Sequence, residues 1–467
     1  MLWAMCLCLG AILAICAIKQ LLLSDKTFLS RAEKIRAGTY CRSQPFLVTL
    51  LLPQTKTTMG KSNHFSGQPL YSQVINLLNK SKILRFSREN GGERYTKRFN
   101  CWIHLVVMLY AVIMRFDSLR EITASLLAET HKLAHLGITF KIGRSTLADA
   151  NKRRPEAIFE AIYRDLYATY RPALSSDSRS RKTPKWMKRL QIIDSTTITL
   201  FSNLLFKGAG RHPKTGKKKG GIKVHTVIHA NEGVPSDIKF TSAATNDSFM
   251  LKPSALSEGD IMAMDRAYID YEKFQQLSER GVIYVTKMKK SLRYTVLEDT
   301  MYQTPEGLMQ VRTQTVEFIK QKKGAEVIRH KARIITYCDE KKRKLISLLT
   351  NDMDSDPDEI IAIYRKRWEI ELLFKQMKQN FPLKYFYGES ANAIKIQIWV
   401  TLIANLLLML MQKGLKRQWS FSGLATMVRI TLMYYVDFYS LFNYPEKDWE
   451  IILGKASDAP PESSLFD

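Results

Sequence analysis

The sequence predicts an α/β fold, because segments with the pattern of strands alternate with segments that have the pattern of helices. Two short apolar runs, 190–193 and 261–264, each lead directly into an aspartate, Asp194 and Asp265. Such runs are typical of buried strands. Residues 364–378 (YRKRWEIELLFKQMK) instead repeat apolar side chains at helical spacing. Together these segments predict a sheet covered by helices, with acidic side chains at the ends of two strands.

The helical segment brings four polar side chains onto one face. They stand at positions i, i+3, i+7 and i+14 and are Tyr364, Arg367, Glu371 and Lys378. At about 100° per residue they project within about 60° of one another. A carboxylate beside such neighbours can bind a metal ion while the neighbours hold a phosphate. The alternative is a solvated helix face whose charges form weak i,i+4 pairs.

The two aspartates favour the first interpretation. Burying a lone carboxylate at a strand end is costly unless it is paired or bound to a metal. Either Asp194 or Asp265 alone is compatible with a helix cap or a turn, but two such acids and Glu371 together indicate a shared site.

In these residues the chain resembles the transposases of the IS4 family. The resemblance rests on IIDSTTI around Asp194, on MDRAY around Asp265, and on the signature Tyr-x2-Arg-x3-Glu-x6-Lys, which ends here at Lys378 with every spacing intact. It covers roughly residues 70–440 and implies an RNase H-like fold. It also implies that Asp194, Asp265 and Glu371 are the catalytic residues and metal ligands of a DDE triad, and that Tyr364, Arg367 and Lys378 contact DNA near the reacting phosphate.

The chemistry of DNA cleavage agrees with those residue types. Two divalent cations about 3.5–4 Å apart activate a nucleophile and stabilise the leaving oxygen, and carboxylate oxygens suit Mg²⁺ or Mn²⁺. We therefore expect two such ions and no small-molecule cofactor. Water would first free a 3′-OH at the transposon end, and this hydroxyl would then attack the opposite strand or target DNA; a hairpin at the ends is what the resemblance implies. A nuclease of the same fold without strand transfer, or a non-catalytic DNA-binding protein, are the alternatives.

The remaining strand-like segments fill out a catalytic domain over 189–440. Residues 223–229, 238–241 and 281–286 have strand patterns, and 291–350 alternate as expected for a β-rich insertion before the helix with Glu371.

A helical domain is expected at 59–174, followed by a polar and basic linker at 175–188. Helical periodicity over 119–136, a break at Gly137 and a basic helix before Pro155 suggest a helix-turn-helix-like unit that recognises DNA ends. Its expected DNA contacts are Arg144, Lys152, Arg153 and Arg154.

Residues 207–221 are rich in Gly and Lys but lack the spacing GxxxxGK[ST], so nucleotide binding is rejected. A solvated hairpin and a DNA-contacting loop both fit this segment. In the second case the contacts are Lys217, Lys218 and Lys219.

The charge balance predicts a polyanionic partner. The chain has 71 Lys and Arg against 44 Asp and Glu, a net charge of +27, and such an excess favours nucleic acid or an anionic surface. We expect double-stranded DNA, both transposon ends and target. The resemblance implies a homodimer in the DNA complex.

The ends of the chain bear on its location. The first 18 residues carry no charge and approach the ~20 needed to span a bilayer, but no basic segment precedes them and no cleavage site is evident. We interpret 1–58 as an upstream extension with Met59 as the true start, 394–411 as a buried helix, and 441–467 as a tail. Four of the six cysteines lie in the extension, so we expect a reducing bacterial cytoplasm, near the nucleoid, and no membrane.

Overall fold

The computed structural model describes residues 64–175, 184–199, 221–303, 310–321, 327–339 and 343–448. The predicted extension 1–58, the loop with Lys217, Lys218 and Lys219, the middle of the predicted linker and most of the predicted tail lie outside the described residues.

Seven helices form the first described part. They are α1 (Leu70–Ile75), α2 (Lys80–Glu89), α3 (Cys101–Met114), α4 (Leu119–Ala128), α5 (Thr130–Leu133), α6 (Arg144–Arg153) and α7 (Ala157–Leu174). The side chains of Asn79, Asn100 and Ser118 cap α2, α3 and α4 by accepting hydrogen bonds from backbone N–H groups of the first turn. Helix α3 is apolar around its whole circumference and 13 of its 14 residues are buried, which makes it a core helix.

Nine described strands form one sheet. They are β1 (Leu190–Thr199), β2 (Gly221–His229), β3 (Pro235–Ser242), β4 (Ile261–Met264), β5 (Ile283–Lys287), β6 (Thr295–Gln303), β7 (Gln310–Lys320), β8 (Ile328–Asp339) and β9 (Lys344–Thr350). Their order is β3-β2-β1-β4-β5-β9-β8-β7-β6. Strands β1, β4 and β5 are mutually parallel, and the other pairings are antiparallel. The predicted α/β class is therefore confirmed, and the β-rich segment extends the main sheet.

The other helices are α8 (Tyr271–Glu279), α9 (Pro357–Lys366), α10 (Trp368–Asn380), α11 (Ala391–Lys413), α12 (Phe421–Thr431) and α13 (Phe438–Asn443). Helix α11 has the length and composition of a membrane span, but 83% of its apolar window is buried inside the protein. It packs against α3, α6, α7 and α12. The interpretation of this segment as a buried helix is confirmed. The helices before the sheet and those after it thus share one core.

Two predicted helices are interrupted. The segment 364–378 is divided between α9 and α10, which meet at Arg367. The Arg367 N–H bonds the Tyr364 carbonyl three residues back at 3.1 Å, a tighter turn than the α-helix makes. Arg367 keeps helical dihedrals, so the polar face survives the break. Likewise 119–136 divides into α4, α5 and a 3₁₀ turn (Ala134–Leu136).

Candidate active site

Strands β1 and β4 bring the two aspartates side by side. These strands are parallel, with Ile193 opposite Met264, so Asp194, the next residue of β1, lies beside Asp265, the residue that directly follows β4. The Asp194 side chain is 19% exposed, and its Oδ1 accepts a hydrogen bond of 2.7 Å from the Ser195 N–H.

Helix α10 packs on β1 and carries Glu371 to the same place. Arg367 Nη2 donates a hydrogen bond of 2.6 Å to Glu371 Oε1, and Arg367 Nη1 lies 3.6 Å from Asp194 Oδ2. The guanidinium therefore lies between an acid of the sheet and an acid of the helix. Its Nε is buried and has no hydrogen-bond partner among the described residues.

The pKa values of the site reflect burial first and the neighbouring charges second. Burial raises the pKa of Asp194 to about 6, against the opposing effects of the Ser195 N–H and Arg367, and the charges of Asp265 and Glu371 raise it further. The Arg367 guanidinium lies over the Tyr364 ring, with its central carbon 5.6 Å from the centre of the ring. Burial raises the pKa of Tyr364, and the negative charge of Asp265 adds to the rise. Asp265 thus acts electrostatically on both Asp194 and Tyr364.

Lys378 reaches the same strand from two turns further along α10. Its Nζ donates to Thr196 Oγ1 at 2.7 Å and to the Thr197 carbonyl at 3.3 Å. Burial lowers the pKa of Lys378. The signature side chains therefore meet around the middle of β1.

A cleft of about 1120 Å³ opens beside Asp194 and Glu371. Five basic side chains line it: Arg115, Lys375, Lys378, Lys384 and Arg429. Arg115 ends α3 in a left-handed conformation (φ 60°), and Arg429 donates to the carbonyls of Ile113 and Asn380. Apart from Lys378, sequence reasoning missed these residues, because no spacing pattern connects positions 115, 384 and 429.

The DNA contacts expected in the helical region are divided. Arg144, Lys152 and Arg153 are exposed on α6, and Arg153 pairs with Asp149 at 3.2 Å. Arg154 is only 5% exposed, and its Nε and Nη2 donate to the carbonyls of Gly92 and Phe99. Arg154 therefore stabilises the loop that contains Gly92 and Phe99. The sequence did not predict this contact.

The donor set fits a divalent cation. Three carboxylates offer hard oxygen ligands, and the Arg367 guanidinium already occupies the position of a cation between two of them. Among the described residues, no group of three Asp, Glu, His or Cys side chains is close enough together to hold a metal ion. Arg367 would have to leave before Asp194 and Glu371 could share one.

Comparison with known proteins identifies the chain. The family model described as "Transposase DDE domain" matches residues 185–407, and one for a domain of unknown function matches 66–139. The "Putative transposase y4zB" of Sinorhizobium fredii is 31% identical over 271 residues, 57% of this chain and 70% of the relative. The "Probable transposase for insertion sequence element IS5377" of Geobacillus stearothermophilus is 24% identical over 285 residues, which are 61% of this chain and 72% of the relative.

A third relative is the "Putative transposase for insertion sequence element IS4SA" of Synechocystis sp., 26% identical over 273 residues, 57% of this chain and 71% of the relative. A solved piggyBac transposase synaptic complex with hairpin DNA aligns over 85% of this chain and 87% of that chain, with 11% identity and a TM-score of 0.40. That likeness is too weak to carry an argument.

The mixed α/β fold and the matched catalytic domain define the class, an enzyme that acts on DNA. The chain belongs to the DDE transposases of insertion sequences, of the IS4 type, and its function is DNA transposition. The DDE domain implies dependence on a divalent metal and makes DNA the partner.

Proposed function

We propose that this transposase cleaves DNA at the transposon ends and joins the freed ends to target DNA, with Asp194, Asp265 and Glu371 as its catalytic triad. The observation that carries the proposal is that Asp194 in β1 lies beside Asp265 at the end of the neighbouring parallel strand, while Arg367 joins Asp194 to Glu371 of the covering helix. The order β3-β2-β1-β4-β5, with β2 antiparallel to β1, supports assignment of the core to the RNase H-like fold.

The same three side chains would hold the metal, Mg²⁺ or Mn²⁺, as two ions. When bound, the metal would supply activation of the attacking oxygen and stabilisation of the leaving oxygen. Burial, and to a smaller extent the charges of Asp265 and Glu371, raise the pKa of Asp194, which supports this role because a bound cation stabilises the ionised carboxylate.

The signature side chains would bind the phosphate that reacts. The Lys378 ammonium contacts β1 at Thr196, two residues from Asp194, where it can also reach a phosphate oxygen. Arg367, supported by the Tyr364 ring, would exchange its carboxylate partners for a phosphate of the DNA, since guanidinium binds both anions well. That exchange would free Asp194 and Glu371 when the DNA arrives.

The reaction has two displacements at phosphorus. In the first, a water oxygen bonds to the phosphorus at the transposon end, the P–O3′ bond breaks, and the 3′ oxygen leaves as a hydroxyl. In the second, that 3′-OH bonds to a phosphorus of the target strand and displaces the target's own 3′ oxygen. One set of acids serves both steps because the same bond type breaks in each.

The basic cleft would accept the DNA strand. Arg115, Lys375 and Lys384 line it beside the acids and would contact backbone phosphates, which position the DNA without reading its sequence. Synapsis of two ends favours a homodimer in the DNA complex. The place of action would be the bacterial cytoplasm, at the nucleoid.

A strand-transfer experiment tests the proposal. Purified protein is incubated with a labelled duplex that carries a transposon end, a supercoiled plasmid, and Mg²⁺ or Mn²⁺. We expect label joined covalently to the plasmid, and no product with Asp194→Asn. Cleavage of the duplex without joining would favour the nuclease alternative, and neither product with the parent protein would contradict the proposed function.

A further inference from the structure

A second groove lies in the helical region. It has a volume of about 1130 Å³ and is formed by the loop between α2 and α3 (residues 90–99), by residues 140–141 and by the face of α6 that carries Arg153. It lies outside the catalytic site, and no residue of the loop figured in the sequence analysis.

The loop is a built structure. Gly91 adopts a left-handed conformation (φ 71°), and a Cβ on Gly92 would lie 2.3 Å from Ile158 Cδ1, so the backbone packs directly on α7. Arg154 forms the floor: it donates to the Gly92 and Phe99 carbonyls and lies over the Phe99 ring. Its Nη1 is buried without a hydrogen-bond partner among the described residues.

The charges of the groove favour an anion. Its cationic lining comprises Arg94, Lys97, Arg98, Lys141, Arg153 and Arg154. Of these, Arg94, Lys97, Arg98 and Lys141 are exposed and form no ion pair with a described residue.

The acidic side chains near the groove already have partners within the protein. Glu93 turns inward, where its Oε1 accepts hydrogen bonds from Ser87 Oγ at 2.7 Å and from the Cys101 N–H at 2.8 Å. Glu89 lies 3.6 Å from Arg85. The net charge that faces solvent in the groove is therefore strongly positive, and the loop that carries most of it packs on α7.

Tyr95 presents an aromatic ring at the same place. It is 98% exposed and has a left-handed backbone (φ 58°), a conformation that costs roughly 1 kcal/mol or more in a non-glycine residue. Among the described residues, none forms a hydrogen bond or a ring contact with the Tyr95 side chain that would offset this cost. An exposed aromatic among cations suits the sugars and bases of a nucleic acid.

Helix α3 fixes the distance from this groove to the catalytic cleft. Phe99, two residues before the first residue of α3, lines the groove, and Arg115, just after its last residue, lines the cleft. A helix of 14 residues is about 21 Å long. Since α3 is a buried core helix, the two sites are held at a constant separation.

We propose that the groove binds the backbone of the transposon-end duplex about six base pairs from the phosphate that is cleaved, with α3 as the spacer between the two contacts. Six base-pair steps of about 3.4 Å match the length of the helix. The spacing rests on the proposed function, which puts the reacting phosphate in the catalytic cleft. The binding itself rests on the groove.

The test uses full-length protein, EDTA and a fluorescent 40-base-pair duplex that carries the terminal repeat found in the DNA flanking the gene. The groove variant is Arg94→Gln/Lys97→Gln/Arg98→Gln. The control variant, Lys252→Gln/Lys331→Gln/Lys344→Gln, removes the same charge from exposed sites elsewhere. We expect the groove variant to bind at least ten-fold more weakly and to lower the salt slope by roughly three units, while the control variant binds like the parent.

Hydroxyl-radical footprinting of the same complexes then locates the contact. We expect protection about six base pairs inside the cleavage position, lost in the groove variant, while protection at the cleaved phosphate remains. Equal losses of affinity in the two triple variants, or protection at six base pairs that survives in the groove variant, would overturn the proposal.

A single substitution separates binding from stability. Tyr95→Gly relieves the left-handed strain, so we expect its thermal midpoint to equal or exceed that of the parent while its DNA affinity falls several-fold; unchanged affinity would remove Tyr95 from the contact. These measurements need no metal. Failure of the parent to cleave or join DNA therefore contradicts the proposed function and leaves the groove result standing, whereas normal joining with an unaltered footprint contradicts the groove alone.

Discussion

Arg367 donates a hydrogen bond of 2.6 Å to Glu371, four residues along the chain, and by the same guanidinium approaches Asp194 to 3.6 Å. One cation thus joins two acids that come from a helix and from a strand. If these acids bind metal, the guanidinium and the metal compete for the same oxygens. Bound DNA would shift this competition toward the metal, because a phosphate of the DNA can bind Arg367 in place of the two carboxylates.

Arg367→Ala is expected to strengthen binding of Mn²⁺ to the DNA-free protein by roughly ten-fold, since a hydrogen bond to a charged group contributes about 1.5–3 kcal/mol. It is also expected to slow cleavage, because the phosphate loses a partner. Calorimetric titration with Mn²⁺ measures the first effect. Lys366→Ala breaks the neighbouring pair with Glu369, of 2.7 Å, and serves as the control. Weaker Mn²⁺ binding in Arg367→Ala would contradict the idea of competition.

Removal of any one of the three acids is expected to abolish cleavage while DNA binding persists. The variants are Asp194→Asn, Asp265→Asn and Glu371→Gln. The loss should exceed the 10–100-fold that follows removal of a group that merely orients a metal ligand. Single-turnover cleavage and duplex binding are measured on the same preparations. A variant that keeps its cleavage rate would exclude that residue from the triad.

The raised pKa of Asp194 predicts an unusual pH dependence of stability in EDTA. The folded protein holds this proton up to a pKa of about 6, whereas an aspartate in an unfolded chain has a pKa near 3.8. Unfolding therefore releases a proton between these values, and the free energy of unfolding falls as the pH rises from about 4 to about 6.

Asp194→Asn, which stays neutral, should accordingly be more stable than the parent above pH 6, by up to about 3 kcal/mol. The difference should vanish below about pH 4. Urea unfolding across this range measures it, with the exposed Asp149→Asn as the control. A less stable Asp194→Asn at pH 8 would show that charge at this position does not strain the fold.

Lys378→Met should lower the cleavage rate by about a hundred-fold, as expected when a donor to a reacting phosphate is removed. Thr196→Val removes the acceptor that positions the ammonium and should cost only several-fold. Single-turnover rates at saturating DNA distinguish the two. A larger effect of Thr196→Val than of Lys378→Met would indicate that the hydroxyl itself serves the reaction.

Glu156 connects the helices before and after the sheet. Its carboxylate accepts from Lys395 Nζ and Trp399 Nε1, both at 2.8 Å. Glu156→Ala should lower the free energy of unfolding by about 2 kcal/mol, because two donors lose a charged partner. Glu160→Ala, which loses an exposed pair with Arg164, should cost less than about 1 kcal/mol. Equal effects in urea unfolding would show that the connection is weak.

Several elements were predictable because their signals are local. Strands β1 to β5 follow short apolar runs, and the buried nature of α11 follows from the polar Gln397 and Asn405 within an apolar helix. Both find partners inside the protein, Gln397 at the Tyr387 N–H and Asn405 at Gln376 Nε2. The break at Arg367 was not predictable, because nothing in YRKRWEIE differs from a good helix.

The sequence by itself determined the aspartates at the strand ends, the intact spacing from Tyr364 to Lys378, and the positive net charge that favours DNA as a partner. Tertiary structure alone decided that Arg367 lies between Asp194 and Glu371, that Arg154 is buried under a loop, and that cations from residues 94 to 153 share one groove. The reason is physical: periodicity and composition record what a segment does along its own axis, whereas distances between segments are set by how buried faces such as that of α3 pack.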